Sequence, residues 1–505
     1  ARGPATLIPV FRSHSPRSHT MPQVTDSYVF WTHKGGVGKT TLCMHTALTY
    51  AELNPKQHVI VIDLDEQANL SSTLCTELGN VFESHARQPK NGLEQVTAMQ
   101  GTFVDNSGAY SRTLCGMLLA GEKNMYYRCK HSANSMQQQI GESAFLINPK
   151  KEGINDNLPE NVHLLCGDRR IAGLSAHFVQ KCAHPDALEA QGMGSIEAEW
   201  KTTHLLLKDW VTAVATELPS NGFDGVTVFI DCNPSMNFFT ELGMCTAKKL
   251  VVPVNADDFS LAAVKNMFYS IYGMYQVGGN MAAYEKKMFH SVAKGDATKV
   301  ELPKVHAIIH NRSSMWGKKQ ATCFAAMSKE QANVMYKAYD DARKGEGGVP
   351  PGSHRNIFNH AQLHGGAEPS TAEEFADAFT GVMRDMGSTA VVTVHSGIGL
   401  WLVKRNKKNV KSILPDAKVS SSAASSLADL IGPARQSLRA DPEDEDNPGD
   451  HRNGRDLYLV ELLQGRQVGD EVRENIWREA SQGANELGWT NKRRRQAVED
   501  DDVAP

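Results

Sequence analysis

The feature that most constrains this chain is Trp31-Thr-His-Lys-Gly-Gly-Val-Gly-Lys-Thr-Thr41. Residues 27–30 before it are apolar and β-prone, and residues 42–53 after it read as a helix. Strand, glycine-rich turn and helix, in that order, make the setting of a phosphate-binding loop. Glycines at 35, 36 and 38 let the backbone curl until the N–H groups of Gly35, Gly36, Val37, Gly38, Lys39, Thr40 and Thr41 face one anion. The helix N-terminus adds its positive dipole end. In such a loop Lys39 reaches the β- and γ-phosphates, and the Thr40 hydroxyl holds Mg²⁺. Lys34 is a second lysine at the opening of the loop. It leaves the wrong side of the turn to reach that phosphate easily, but it can reach a nucleotide held by a second copy of the chain.

Two further stretches end in acids. His58-Val-Ile-Val-Ile-Asp63-Leu-Asp65 is an unbroken β-branched run, the pattern of a strand buried on both faces of a parallel sheet. Asp63 and Asp65 share one side under a period of two, at the strand end where open α/β sheets place their ligands. One of them can orient a Mg²⁺-bound water and the other the attacking water. Phe223-Asp-Gly-Val-Thr-Val-Phe-Ile-Asp231 repeats the pattern, and an apolar strand ending in Asp is the second metal-binding signature of phosphate-loop proteins, with Asp231 on Mg²⁺. The expected fold is α/β: a three-layer, doubly wound, mostly parallel sheet with insertions and a helical C-terminal tail.

The run Lys-Gly-Gly-Val-Gly-Lys-Thr-Thr resembles the deviant phosphate loop of the ParA/MinD superfamily, with ParA-like partition ATPases the nearer branch. The stretch after the second strand matches the ParA-like pattern Asp-x-Asp-Pro-Gln-x-Asn at Asp63, Asp65, Gln67 and Asn69, with Glu66 in place of the proline. Pro234 fits the family's Asp-x-x-Pro. The resemblance implies an ATP-sandwich homodimer with Lys34 crossing the interface and Lys34, Lys39 and Asp65 serving hydrolysis. It implies that Asp63 assists the metal and that Asn311, at the end of Lys304-Val-His-Ala-Ile-Ile-His-Asn311, reads the adenine edge. The implied activity is Mg²⁺-dependent ATP hydrolysis in a switch that binds DNA non-specifically, positions plasmid, chromosome or other cargo, and is reset by a ParB-like adaptor in a bacterial, nucleoid-associated cytoplasm. Two alternatives stand beside it: an ATP-dependent small-molecule synthase or amidase of related fold, and an ATPase module of a multi-protein system such as phage defence.

With a net charge of −4 the 505-residue chain offers nucleic acid no bulk attraction, so a DNA surface must be a local patch. The densest cationic cluster is Lys404, Arg405, Lys407, Lys408 and Lys411, a candidate phosphate clamp. Its nine unspaced cysteines argue for reduced thiols. No apolar run is long enough to span a bilayer, and the tail mixes acids through its helices, which disfavours membrane targeting. Residues 1–27 read as a disordered extension, 28–432 as the ATPase domain with an insertion at 80–160, 433–454 as an acidic linker, 455–490 as a short helical tail and 491–505 as a disordered charged end. Within the domain Ser260 is the expected cap of the helix after the Lys249–Asn255 strand, Thr371 opens a capped helix to about 386, and residues 390–395 are the last strand. His354, His360 and His364 fall in a Gly/Pro/His-rich loop in which no acid completes a metal set.

Overall fold

In this computed structural model the described residues are 24–76, 111–121, 142–183, 196–218, 222–276, 288–295, 298–363 apart from 314, 317 and 318, 367–386, and scattered positions from 390 to 399. Strands β1 (Val24–Phe30), β2 (Gln57–Asp63), β3 (Val162–Leu165), β4 (Gly225–Asp231), β5 (Lys249–Asn255) and β6 (Lys304–Ser313) follow one another along the chain. A two-stranded ribbon of β7 (Met315–Trp316) and β8 (Lys319–Gln320) comes next, and β9 (Thr380–Arg384) is last. Seven of them form one sheet in the order β3-β2-β4-β1-β5-β6-β9, and every neighbouring pair is parallel.

Helices cover both faces, as a parallel sheet requires. Alternate side chains of each strand enter different cores. Val29, Ile60, Ile62, Val228 and Ile230 point into one, with the helix Ile196–Glu217 and the helix Phe238–Thr246. Tyr28, Phe30, Val59, Val61 and Phe229 point into the other, with the loop helix Lys39–Leu53. This period-two division explains why the strands read as continuous apolar runs. Residues 114–121, within the stretch expected to be an insertion, are helical and bury Leu114 and Leu118 in the first core. Among the described residues no helix is long and apolar enough to cross a membrane.

Several local expectations change. β1 starts at Val24, inside the stretch expected to be a disordered extension. Ser260 does not cap the helix Asp258–Tyr272; Asp257 does, its carboxylate accepting the Ser260 N–H at 2.7 Å. Thr371 does cap its helix, accepting the Glu374 N–H, but that helix ends at Phe379 and the chain turns straight into β9. The β-prone run Thr380-Gly-Val-Met-Arg runs parallel to β6, with Thr380 opposite Ile308, because the sheet edge there offers it hydrogen bonds. Residues 390, 393 and 394, expected in a strand, are helical. The helix Thr322–Lys344 runs up to the Gly/Pro/His-rich loop.

Candidate nucleotide-binding site

The C-terminal ends of β1, β2, β4, β5 and β6 meet at one edge, and β1 lies where the winding of the sheet reverses. Ligands of open α/β sheets bind at such a point. The loop leaves β1 here. The main chain of Trp31 donates to Val251 O at 3.0 Å and its indole to Asn233 O at 2.9 Å, so the loop's base is tied to both flanking strands. Gly36 (φ 72°) and Gly38 (φ 86°) adopt the left-handed conformation that other residues reach only under strain. Gly38 caps the helix Lys39–Leu53, which has no side-chain cap and no acid in its first turn. Its first N–H groups and its dipole are therefore available to an anion.

Lys39 is buried, and its ammonium donates to Lys34 O at 2.7 Å across the loop. Burial lowers its pKa, against the pull of Asp231 and Asp65. Thr40 and Thr41 are half-buried at the start of the helix. Asn311 is pinned rather than open. Its amide donates to Val37 O at 2.7 Å, and its carbonyl oxygen accepts the Arg312 N–H at 2.9 Å. A Cβ on Gly38 would fall 2.2 Å from Asn311 Nδ2, so residue 38 must be glycine for both its φ and the space.

Asp63 and Asp231 sit on directly paired rungs of β2 and β4, both fully buried. Their surroundings differ. Asp63 Oδ2 accepts the Ser71 N–H at 2.8 Å and the Ser71 hydroxyl at 2.7 Å, and Oδ1 accepts the Asp65 N–H at 3.2 Å. Burial still pushes it up to about 6. Ser71 Oγ in turn accepts the Gly167 N–H at 2.8 Å, and a Cβ on Gly167 would press on Asp63 at 2.9 Å. Asp231 has two buried oxygens, neither meeting a donor in good hydrogen-bond geometry, although the Thr40 hydroxyl is near enough to favour its charge. Burial and the Asp63 carboxylate raise its pKa well above the ordinary range. A buried carboxylate without partners is costly unless a cation meets it, so Asp231 with Thr40 fits Mg²⁺. Asp65 is also nearly buried, and its Oδ1 accepts the Gln67 N–H at 3.0 Å.

Lys34 points away from its own loop. Its ammonium lies 2.5 and 2.6 Å from the two oxygens of Asp257 and 3.2 Å from Ser260 Oγ. Burial opposes ionisation of Asp257, yet the bonds from Lys34 and the Ser260 N–H hold its pKa below the usual range. Lys34 also lies 5.7 Å over the ring of Phe259, whose side chain is uncovered (78% exposed). The sequence reading missed Asp257, Ser71 and Gly167. Asp257 is one of three cap-forming residues in sequence there; no local pattern marks Ser71 or Gly167. The cationic cluster from Lys404 to Lys411 lies outside the described residues.

The sequence pattern of a family described as an AAA domain matches residues 27–280. No curated protein matches the chain. Among solved structures, apo McdA from Cyanothece is 15% identical, aligning 77% of this chain with 99% of that one at a TM-score of 0.38. A plasmid partition protein from Borrelia burgdorferi is 15% identical, aligning 62% with 85% at 0.33. Cobyrinic acid a,c-diamide synthase from Mycobacterium smegmatis, with bound ADP and magnesium, is 15% identical, aligning 65% with 98% at 0.34. At such scores nothing about function follows from the likeness. The family match spans half of the chain and holds the loop and both acid-ended strands: the chain belongs to the AAA-domain family and is a P-loop nucleotide-binding protein of the ParA/MinD type.

Proposed function

We propose that the chain is a ParA-like ATPase, an ATP-dependent dimerisation switch that binds DNA non-specifically. The N–H groups of residues 35–41 cradle the β- and γ-phosphates. Lys39 exchanges its bond to Lys34 O for phosphate oxygens. Thr40 and Asp231 hold Mg²⁺, with Asp63 set beside them by Ser71; the ion's chemistry there is to neutralise charge on the phosphates. Asp65, at the mouth of the strand ends, positions the attacking water. Lys34 leaves Asp257 for the triphosphate of a second copy, which joins two chains face to face. The Lys404–Lys411 cluster would then clamp DNA phosphates in the dimer, and a ParB-like adaptor would stimulate hydrolysis and reset the switch.

The observation that carries this reading is the placement of Lys34. It is held beside the loop on an uncovered rim with Phe259 rather than folded into its own loop. The test is oligomeric mass by light scattering with ATP, ADP or no nucleotide, beside a gel shift on random-sequence DNA. A dimer formed only with ATP, lost in Lys39→Ala and prolonged in Asp65→Ala, is expected, with DNA shifted only by the dimer. A monomer under all conditions, or DNA binding indifferent to ATP, overturns the proposal.

A further inference from the structure

At the other end of the sheet, three metal-ligating side chains converge. His354 opens the short helix His354–Ile357, His360 follows in a single 3-10 turn, and Glu368 precedes the helix Ala372–Phe379. Glu368 Oε1 lies 3.1 Å from His354 Nε2 and 4.0 Å from His360 Nδ1. One donor atom from each of the three lies within 4.8 Å of the other two. Donors around a tetrahedral zinc ion, with bonds of ~2.0–2.2 Å, stand roughly 3.3–3.5 Å apart. The wider of these separations need to close by roughly 0.5–1.5 Å to make a coordination sphere, within the reach of side-chain rotation along one connection of the chain.

Ordinary hydrogen bonding accounts poorly for this cluster. His354 is buried, its side chain 4% exposed, and it turns Nε2 to Glu368 while His360 turns Nδ1 to it; the opposite ring nitrogens, His354 Nδ1 and His360 Nε2, face away from the cluster. Both rings converge on one carboxylate oxygen, which also takes Nε and Nη2 of Arg355 at 3.2 and 3.0 Å. The Arg355 side chain is 71% exposed, and an ion pair that open is worth ~0–1 kcal/mol, too little to explain gathering two imidazoles there. The rings are also held in place. Tyr339 meets His354 edge-on at 5.1 Å and stacks on His360 at 6.0 Å, and Phe358 packs beneath Tyr339 at 5.2 Å. Fixed imidazoles around a shared oxygen are what a metal site needs before the ion arrives.

We propose that His354, His360 and Glu368 bind a divalent transition-metal ion, for which zinc best suits two imidazoles and a carboxylate, with water completing the tetrahedron. The site has no part in the nucleotide chemistry. Phe358 bridges Val305 near the start of β6, whereas Asn311 touches the phosphate loop six residues further on, about 20 Å along a strand. Its role is structural: the ion joins the connection after Thr322–Lys344 to the helix that leads into β9, the sheet's last strand. The expectation that no acid completes a metal set around these histidines is corrected here: Glu368, eight residues past His360, folds back onto them. His364 lies outside the described residues.

The test uses the tag-free full chain, loaded with zinc in millimolar Mg²⁺ so that the nucleotide site does not take up zinc, then dialysed and measured by mass spectrometry of the metal. One zinc per chain is expected, falling at least tenfold in Glu368→Gln and in His360→Gln, while Arg355→Ala, which removes a competitor for Glu368, keeps it. Cobalt in place of zinc should give the visible absorption of a tetrahedral centre, lost in the same two variants. Circular dichroism checks that the variants are folded. A folded wild type that retains no zinc overturns the proposal. So does zinc held equally by both variants, or lost in Arg355→Ala.

Discussion

Asp257 is the residue through which the proposed switch can be measured. It does two things: it receives Lys34 at 2.5 Å, and it caps the helix Asp258–Tyr272 through the Ser260 N–H. Asp257→Ser separates them, since serine caps a helix about as well as aspartate but cannot neutralise a lysine. The side chains of Lys34 and Asp257 are 22% and 35% exposed, so water screens the pair and its worth is at most ~1 kcal/mol. If Lys34 must leave Asp257 to reach a second chain's triphosphate, the resting state loses that stabilisation and the dimer does not. Each chain of the dimer gives up one such pair, so the two effects multiply: one kcal/mol is roughly fivefold in an equilibrium constant, and the ATP-bound dimer of Asp257→Ser should form about four- to twenty-five-fold more tightly than wild type. Sedimentation equilibrium over a concentration series with ATP measures this. Unfolding in urea should differ by under about 1 kcal/mol from wild type, whereas Asp257→Ala, which loses the cap as well, should lose ~1 kcal/mol more. A dimer that is unchanged or weaker in Asp257→Ser refutes the reasoning, because Lys34 would then act where it now rests.

The nucleotide loop, the acid pair and the core give three more expectations. Gly38→Ala should abolish binding of a fluorescent ATP analogue, because it meets both a left-handed φ of 86° and Asn311 at 2.2 Å; Gly36→Ala, with open space around it, should bear only the conformational strain of ~1 kcal/mol. Asp231→Asn removes a buried carboxyl whose ionisation burial and Asp63 already oppose, so the melting temperature without ligand should stay within a few degrees of wild type while the further rise on adding Mg²⁺ and ATP disappears; an unchanged Mg²⁺–ATP shift would rule out Asp231 as the metal residue. Burial holds His45 neutral down to about 3, while the unfolded chain takes a proton below ~6.5; wild type should therefore lose stability as pH falls from 6.5 toward 3. His45→Leu should flatten that limb by about 2 kcal/mol between pH 6.5 and 5 in urea titrations, and parallel curves for the two proteins would contradict the assignment.

The strands with acid ends were legible because a parallel strand covered on both faces must be apolar without interruption, and β2 and β4 are. Once those strands are recognised, placing Asp63 and Asp231 at one edge follows from the fold. Nothing local distinguishes the two acids, however, and their difference lies in Ser71 and Gly167, which come from the next helix and from the turn after β3. The same kind of long-range pairing hid β9: Thr380–Arg384 becomes a strand because β6 is beside it, and helical spacing upstream runs into it without a break. Asp257 was missed for a smaller reason. Asp257, Asp258 and Ser260 are all cap-forming residues, and only the backbone geometry selects the first.

The clasp between Asn311 and the main chain at Val37 has a consequence for timing. It holds the glycine turn in shape from a strand on the far side of β5, so the turn need not organise itself as a ligand approaches. Encounter should accordingly be quick, because no ordering of the turn has to precede binding.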